Sequence, residues 1–567
     1  MLALLAALVV SQPVATCGPG RICNVGELDL APWRLSQLSD GGLTPACTGP
    51  RVGGLAYWNG AGSATDAGVY VCHISGPWLK VSAASGASAA VTDVTATGAV
   101  TASPTTGSVV VSYALRSDPA YQTTGNVTLY VDKAGNDSNA CTAANDAGCL
   151  TFSGAMGKLP ALIRHAVVIN IDAGTYNEAP RILGFEVQEA STTATAASLT
   201  VNGTLVAPTI STGTASGTFT AWAPRSGATL PTATDAAQTW TADELRGALV
   251  LMTSGGQSGQ YHQVVTNTAT TLTLATDFSS TVSGATYNLL RPGTVFTGGQ
   301  FLIRGNTGAG LVTVNNVHIN NTSTAAIGFN TNTRVTMQRS RATTTSALLL
   351  SGVGYAQRTL IFTSMYFDSA NTGAAISVNL GGQTQFNDIY FRDTSTGSVF
   401  FQSITEAPFL SGYFESQGTA DGVINYYGGA ITNTQWTAPQ VRCLTPGSGT
   451  GLYVHAPRES GVGTTGVLGI TNFAAVDCNT GVLNDSPMEL VLLGSTFSNN
   501  VVAVTVDNGG LVNFRLTTPT FTSVTTQLSL NGEGLGAGPT AYTFAQLVGL
   551  SPAIIRSLST GAAFESR

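Results

Sequence analysis

At 567 residues the chain is long enough for roughly three or four ordinary domains, yet only 9% of it is charged, against roughly 25% in an average soluble domain. Glycine is abundant (66 residues), and Thr, Ser, Ala and Val fill most of the rest, so the surface is coated with hydroxyls and amides rather than with the Glu, Lys and Arg of helical surfaces. A net charge of −7 with no basic cluster excludes nucleic acid as a partner.

Residues 1–19 open with an apolar run, MLALLAALVV, which is too short to span a bilayer. Two readings stand side by side. The run has the apolar core of a signal peptide with small residues near Ala15, but no Lys or Arg before it and no A-x-A site after it. It also fits an uncleaved apolar attachment segment, and Val14-Ala15-Thr16-Cys17 is a poor lipid-attachment signal because Thr stands where Gly or Ala is wanted.

Eight cysteines are an even number: Cys17, Cys23, Cys47, Cys72, Cys141, Cys149, Cys443 and Cys478. Their order predicts local disulfides, Cys17–Cys23 and Cys141–Cys149, with Cys443–Cys478 spanning one to two repeats, in an oxidising compartment. The alternative is buried free thiols. No CxxC or Cys/His pattern with metal spacing is present, so no structural metal site is expected.

Residues 20–82 contain Trp33, Trp58 and Trp78 and read as short strands joined by glycine turns, a small β-module. Residues 83–125 are Ala/Thr/Ser/Gly-rich and weakly alternating, as in a linker or thin stalk. In 126–206 a strand at Leu129–Val131 enters a polar turn at Gly135-Asn136-Asp137, a short helix is predicted through Phe152–Leu162, and the apolar run Val167–Ile171 ends in Asp172-Ala173-Gly174-Thr175-Tyr176. The helix would cap the open end of a sheet that continues behind it. Residues 207–293 break this pattern, with Trp240, a Gly-Gly-Gln-Ser-Gly-Gln-Tyr turn at 255–261 and the strand 267–273, and are predicted to be a small β-domain inserted into the first coils.

From 294 to 533 a repeat emerges. Tyr366-Phe367-Asp368, Tyr390-Phe391-Arg392-Asp393 and Tyr413-Phe414-Glu415 begin 24 and 23 residues apart, each a strand followed by a Ser/Asn/Thr/Gly turn and a second strand. That period, without helical patterning between strands, predicts an all-β, right-handed parallel β-helix. In 534–567, Ser551 followed by Pro552 predicts a short helix that caps the last coil or makes an oligomer contact.

Several of these segments carry resemblances. The entry at 128–187 resembles that of pectate-lyase-like β-helices, the strand with Gly-Pro-Trp-Leu-Lys-Val at 76–81 resembles small modules near the start of phage tail proteins, and 207–293 resembles a module of phage structural proteins. As architecture the chain resembles a bacteriophage tail fibre or tailspike. The resemblance implies a virion-tail, extracellular location, a homotrimer, other virion tail proteins as neighbours, and a host-surface receptor, in the first place a polysaccharide. A secreted polysaccharide lyase or glycoside hydrolase is the second reading, and a bacterial surface adhesin or lipoprotein modified at Cys17 the third.

Stacked coils align equivalent residues about 4.8 Å apart. Tyr366, Tyr390 and Tyr413 then form one column and Phe367, Phe391 and Phe414 another, one lining the core and one facing out. An outward tyrosine column is a candidate platform for sugar rings; its competing reading is packing against a neighbouring loop or subunit. The same register brings Asp368, Asp393 and Glu415 together, as a candidate acid/base set for glycan cleavage or as calcium ligands, calcium being the one cofactor considered. Arg392 among them, and ordinary turn chemistry, argue for a structural role. The five histidines, His73, His165, His262, His318 and His455, have no partner motif, and each is expected to be structural.

Overall fold

The computed structural model describes residues 122–530 with short internal breaks, and outside that span the strands Leu55–Trp58, Gly68–Cys72, Trp78–Lys80, Val100–Ser103, Val110–Tyr113 and Ile555–Leu558. The apolar N-terminal segment, Cys17, Cys23, Cys47 and the side chain of Cys72 lie outside the described residues. By backbone contacts the chain divides into two units, 1–114 and 115–567. In the first, Leu55–Trp58, Gly68–Cys72 and Trp78–Lys80 form an antiparallel sheet, and Val100–Ser103 pairs antiparallel with Val110–Tyr113.

The second unit is a parallel β-helix whose coils present three faces. Face one begins with Val127–Val131, Ala166–Ile171, Ser198–Asn202, Leu311–Asn315, Arg334–Gln338 and Leu360–Thr363, each pairing in parallel with the next. Face two runs from Gly174–Tyr176 through Thr294–Phe296, Val317–Asn320, Arg341–Thr343 and Tyr366–Ser369 to Thr520–Thr522. Face three is a 12-stranded sheet from Arg181–Leu183 to Ile555–Leu558. Alternation along each strand turns one apolar column inward per face. On face one it holds Leu129, Ile169, Val201, Val314, Met337 and Phe362; on face two Phe367, Phe391 and Phe414; on face three Val399, Ile424 and Leu452, all buried in one continuous core. Burying each such side chain contributes on the order of 1.5–3 kcal/mol, and because every coil covers its neighbours, coils add stability one at a time.

The corner between faces one and two is made by single residues in the left-handed conformation. Asn316 (φ 61°), Arg339 (φ 50°), Ser364 (φ 51°), Asp388 (φ 52°), Ala438 (φ 53°) and Asn472 (φ 54°) occupy equivalent places in their coils. Such a conformation costs a non-glycine residue roughly 1–2 kcal/mol, and it is held here by the ladders on both sides.

The same corner is where the second coil opens. Asn202 ends a face-one strand, Thr294 starts the next face-two strand, and between them lies a module of eight antiparallel strands. It has its own core of Phe219, Trp240, Leu245, Val250, Met252, Leu272, Tyr287 and Leu289. Gly203 is required at the exit, since a Cβ there would stand 2.4 Å from the Asn316 carbonyl oxygen.

Two sequence expectations are corrected. The predicted helix through Leu162 stops at Met156, one turn capped by the Thr151 hydroxyl, which accepts from the Gly154 N–H; Gly157 and Pro160 cannot prolong it well. The predicted C-terminal helix is replaced at Ile555–Leu558 by a strand that pairs in parallel with Thr526–Leu530. The unpaired edge of the last coil offers the backbone a ladder, and tertiary pairing overrides the local capping signal.

Candidate functional site

The tyrosine column comes together as a ladder but is closed to solvent. Tyr366 and Tyr390 stack at 4.8 Å between ring centroids, Tyr390 and Tyr413 lie tilted at 5.8 Å, and the three are 1%, 0% and 2% exposed. Leu230, Val265 and Ala275 of the inserted module pack on them. A module rooted at the corner of the second coil folds back along face two, so the outward aromatic column is its docking surface and offers no ring face to a sugar. Gln263 Nε2 donates to the Ser364 carbonyl, Gln440 Nε2 donates to the Ala228 carbonyl at 2.8 Å, and Arg225 reaches the carbonyls of Ala438 and Asn472. The contact thus follows the corners from Ser364 to Asn472 over four coil steps, roughly 19 Å.

The three candidate carboxylates do not form one group. Asp368 pairs in register with Arg392 and Arg392 with Glu415, whereas Asp393 pairs with Ser369, one residue further on. A shift of one residue changes the face. Asp393 therefore turns inward and is fully buried (0% exposed), accepting from the N–H groups of Ser395 (2.7 Å) and Gly397 (3.1 Å) and from the Ser369 hydroxyl. That is a turn-forming carboxylate. Glu415 is 3% exposed and accepts from the hydroxyls of Tyr390 (2.7 Å) and Tyr413 (3.0 Å) and from Arg246 of the module (3.3 Å). Arg392 stands between Glu415 (3.5 Å) and Asp368 (3.6 Å), and Arg341 lies 3.7 Å from Asp368. A guanidinium between two carboxylates leaves no place for a substrate oxygen or water to be shared by them. Burial first, and then Glu415, hold the Tyr390 and Tyr413 hydroxyls well above the ordinary tyrosine range; burial and then Asp368 do the same for Tyr366.

His73 lies outside the described residues; of the other histidines, His165 Nδ1 lies 3.1 Å from the Thr123 hydroxyl, His262 Nδ1 2.8 Å from the Thr276 hydroxyl and 3.7 Å from Asp388, His318 Nε2 2.9 Å from the Thr343 hydroxyl, and His455 Nε2 2.7 Å from the Asn425 side-chain oxygen. Among the described residues there is no cluster of three or more His, Cys, Asp or Glu able to hold a metal ion. Disulfides join Cys141 to Cys149 and Cys443 to Cys478.

A different surface carries a continuous polar line. At one outward position of face one, consecutive coils place Tyr130, Asn170, Asn202, Asn315, Gln338, Thr363 and Asn387 in register. All are half-buried except Asn315, which is 8% exposed. The amides are cross-linked: Asn202 Nδ2 donates to Asn170 Oδ1 (3.3 Å), and Asn315 Nδ2 to Asn202 Oδ1 (2.9 Å). Six coil steps make the line roughly 29 Å long, uncharged throughout, and every member carries a donor and an acceptor, on separate atoms in the amides and on one atom in the hydroxyls. At its front end a cavity of about 280 Å³ opens between the first coils, lined by Tyr130, Asn145, Asn170, Asp172, Asn202 and Thr204 among others. Sequence reasoning passed over these residues, although Ile169-Asn170, Val201-Asn202 and Val314-Asn315 repeat the same apolar–Asn ending.

No protein-family model matches the chain, and no curated protein is similar to it. Solved structures similar to it include phage tailspikes. The tailspike gp49 of Pseudomonas phage LKA1 is 12% identical over 72% of this chain and 67% of its own, with a TM-score of 0.19. The tailspike gp61 of Pseudomonas phage phi297 is 13% identical over 66% of this chain and 62% of its own, with a TM-score of 0.21. The Gp54 tailspike of Acinetobacter baumannii bacteriophage AP22, solved with a capsular saccharide of A. baumannii, is 10% identical over 70% of this chain and 71% of its own, with a TM-score of 0.19.

Proposed function

We propose that this chain is a phage tail fibre or tailspike-like protein, a homotrimer seated among other tail proteins, whose β-helix binds a host-surface glycan. The observation that carries the reading is the face-one line of seven neutral amide, hydroxyl and phenol side chains, held in register at the coil spacing. A glycan presents hydroxyls as both donors and acceptors, at near-regular intervals along an extended chain, and a rigid row of neutral donors and acceptors matches it without the desolvation cost of charges. Small β-modules ahead of a capped β-helix supply the architectural part of the argument. The reading is one of binding rather than cleavage, because Asp393 and Glu415 are buried in structural hydrogen bonds.

The test is to measure binding of the purified full chain to capsular polysaccharides and lipopolysaccharides from a panel of bacteria, with its mass in solution by light scattering. Saturable binding to the polysaccharide of one serotype by a trimer, weakened by Gln338→Leu on face one, is the expected result. A monomer that binds no envelope polysaccharide overturns the proposal.

A further inference from the structure

The cavity at the start of the solenoid has features that the face-one line alone does not explain. Its rim is a loop that is rigid by construction. Asp132 accepts from the N–H groups of Ala134 (2.9 Å) and Asn145 (3.1 Å), the Cys141–Cys149 disulfide closes the loop, and Asn139 Nδ2 donates to the carbonyls of Asp146 (2.6 Å) and Gly148 (2.9 Å). Within this frame two non-glycine residues, Cys141 (φ 60°) and Asn145 (φ 58°), are held in the left-handed region. Such conformations persist only where the surroundings over-determine them, and they concentrate at sites where a side chain must be aimed.

On the opposite wall Thr204 donates from its hydroxyl to the Ile171 carbonyl (2.9 Å), and its own N–H donates to the Thr294 hydroxyl (2.9 Å), so this side is fixed as well. The floor is the front of the amide ladder, Asn170 and Asn202, with Tyr130 stacked one coil ahead of them. The chemistry of the lining is selective. No Lys or Arg lines the cavity, whereas Asp132 and the exposed Asp172 do, so an anionic ligand is disfavoured. Both oxygens of Asp132 are already accepting backbone N–H groups, which leaves Asp172 as the one carboxylate available to a cation, too few for calcium. The volume lies at the lower bound of ligand pockets, about 300 Å³, enough for one ring and too small for an oligomer.

From this geometry we infer that the cavity is an end-site for a single uncharged sugar residue, which seats the terminus of a glycan whose next residues run along face one. The inference deepens the glycan-binding reading and rests on it. Amides of Asn145, Asn170 and Asn202 take the ring hydroxyls, Tyr130 offers its ring to the apolar face of the sugar, and Asp172 accepts from an outward hydroxyl. Because the walls are rigid before the ligand arrives, little ordering is needed on binding.

The test is titration of the full chain with galactose, glucose and N-acetylglucosamine, read by saturation-transfer NMR, beside the polysaccharide panel. Two variants spare the fold: Asn145→Gly suits its left-handed backbone, and Asp172→Asn keeps the shape of an exposed side chain. Saturable binding of one sugar, weakened about tenfold by each variant and unchanged by Gln338→Leu three coils away, is the expected outcome. Polysaccharide binding that both variants leave intact while Gln338→Leu abolishes it overturns the end-site and leaves the face-one reading standing. Sugar binding that disappears with a chelator assigns the cavity to a metal and also overturns it. If no polysaccharide binds wild type, the functional reading fails; a sugar that still saturates the cavity would then show a site without that glycan role.

Discussion

Arg246 and Glu415 are 169 residues apart in sequence, yet the guanidinium Nη1 stands 3.3 Å from the Glu415 Oε1, joining the inserted module to the middle of the solenoid. The pair shares its atoms with Tyr390, whose hydroxyl accepts from Arg246 (2.9 Å) and donates to Glu415 (2.7 Å). Burial would lower the pKa of Arg246, but Tyr390, Glu415 and Asp243 outweigh it and hold the guanidinium above its ordinary range. Arg246→Met leaves Glu415 buried with Arg392 as its remaining cation. The expected loss is about 2 kcal/mol, below the 3–5 kcal/mol of a wholly orphaned charge. Adding Glu415→Gln in that background should restore part of it, and urea unfolding of the two variants checks both steps.

Gly247 seats the module against the ladder. Its φ is +68°, and a Cβ there would lie 2.3 Å from the Tyr366 ring. Gly247→Ala combines overpacking with a strained backbone and should cost about 2–4 kcal/mol. Increased accessibility of Tyr366 and Tyr390 to acrylamide quenching is the accompanying signature; unchanged quenching and stability would show that the module does not rest on the ladder.

Asp393 separates stability from function. Asp393→Ala orphans the N–H groups of Ser395 and Gly397 at a buried turn and should destabilise by about 1–3 kcal/mol. Glycan binding by the folded fraction should be unchanged. Loss of binding or of any glycan turnover at unaltered stability would return this carboxylate to a functional role.

Acid should weaken the fold through His318. Burial, then Arg341, then Arg291 lower its pKa to about 3. The unfolded chain takes up the proton below about 6.5, so this contribution is complete above that pH and is lost as pH falls toward 3, at up to about 1.4 kcal/mol per pH unit. His318→Gln should flatten the stability profile between these limits. At the alkaline end the sign is reversed. Tyr366, Tyr390 and Tyr413 have raised values, so their share of stability is present below about pH 10 and declines as pH rises; tyrosinate absorbance should appear together with unfolding.

The Cys443–Cys478 bridge closes a span of 35 residues between adjacent coils. On loop-closure entropy it contributes about 4 kcal/mol. Paired Cys443→Ser and Cys478→Ser should lower the unfolding midpoint, with the response confined to the C-terminal coils in hydrogen exchange.

The parallel β-helix was legible in the sequence because its cause is local and repeated. Tyr-Phe-Asp, Tyr-Phe-Arg and Tyr-Phe-Glu recur at the coil length, and alternation within a strand separates the Phe column of the core from the Tyr column outside it. Low charge and abundant Gly, Thr and Ser likewise mark the all-β surface. What lies on an outward column is not a local property. Whether Tyr390 meets water, a sugar or another part of the chain depends on residues far along the chain, such as Arg246, 144 positions from Tyr390 and 169 from Glu415, which binds both.

Asp393 stands one residue out of register with Asp368 and Glu415, enough to send a carboxylate into the core, since the side-chain period of a strand is two. The amide line was hidden for a further reason: the inserted module separates Asn202 from Asn315 by 113 residues, although parallel pairing makes them neighbours. Sequence by itself determined the repeat, the inward columns and the polar character of the surface, because each follows from the period and chemistry of a single strand. Tertiary structure alone decided which face is covered and which is open, because a domain rooted at one corner of one coil can fold along only one face of the stack.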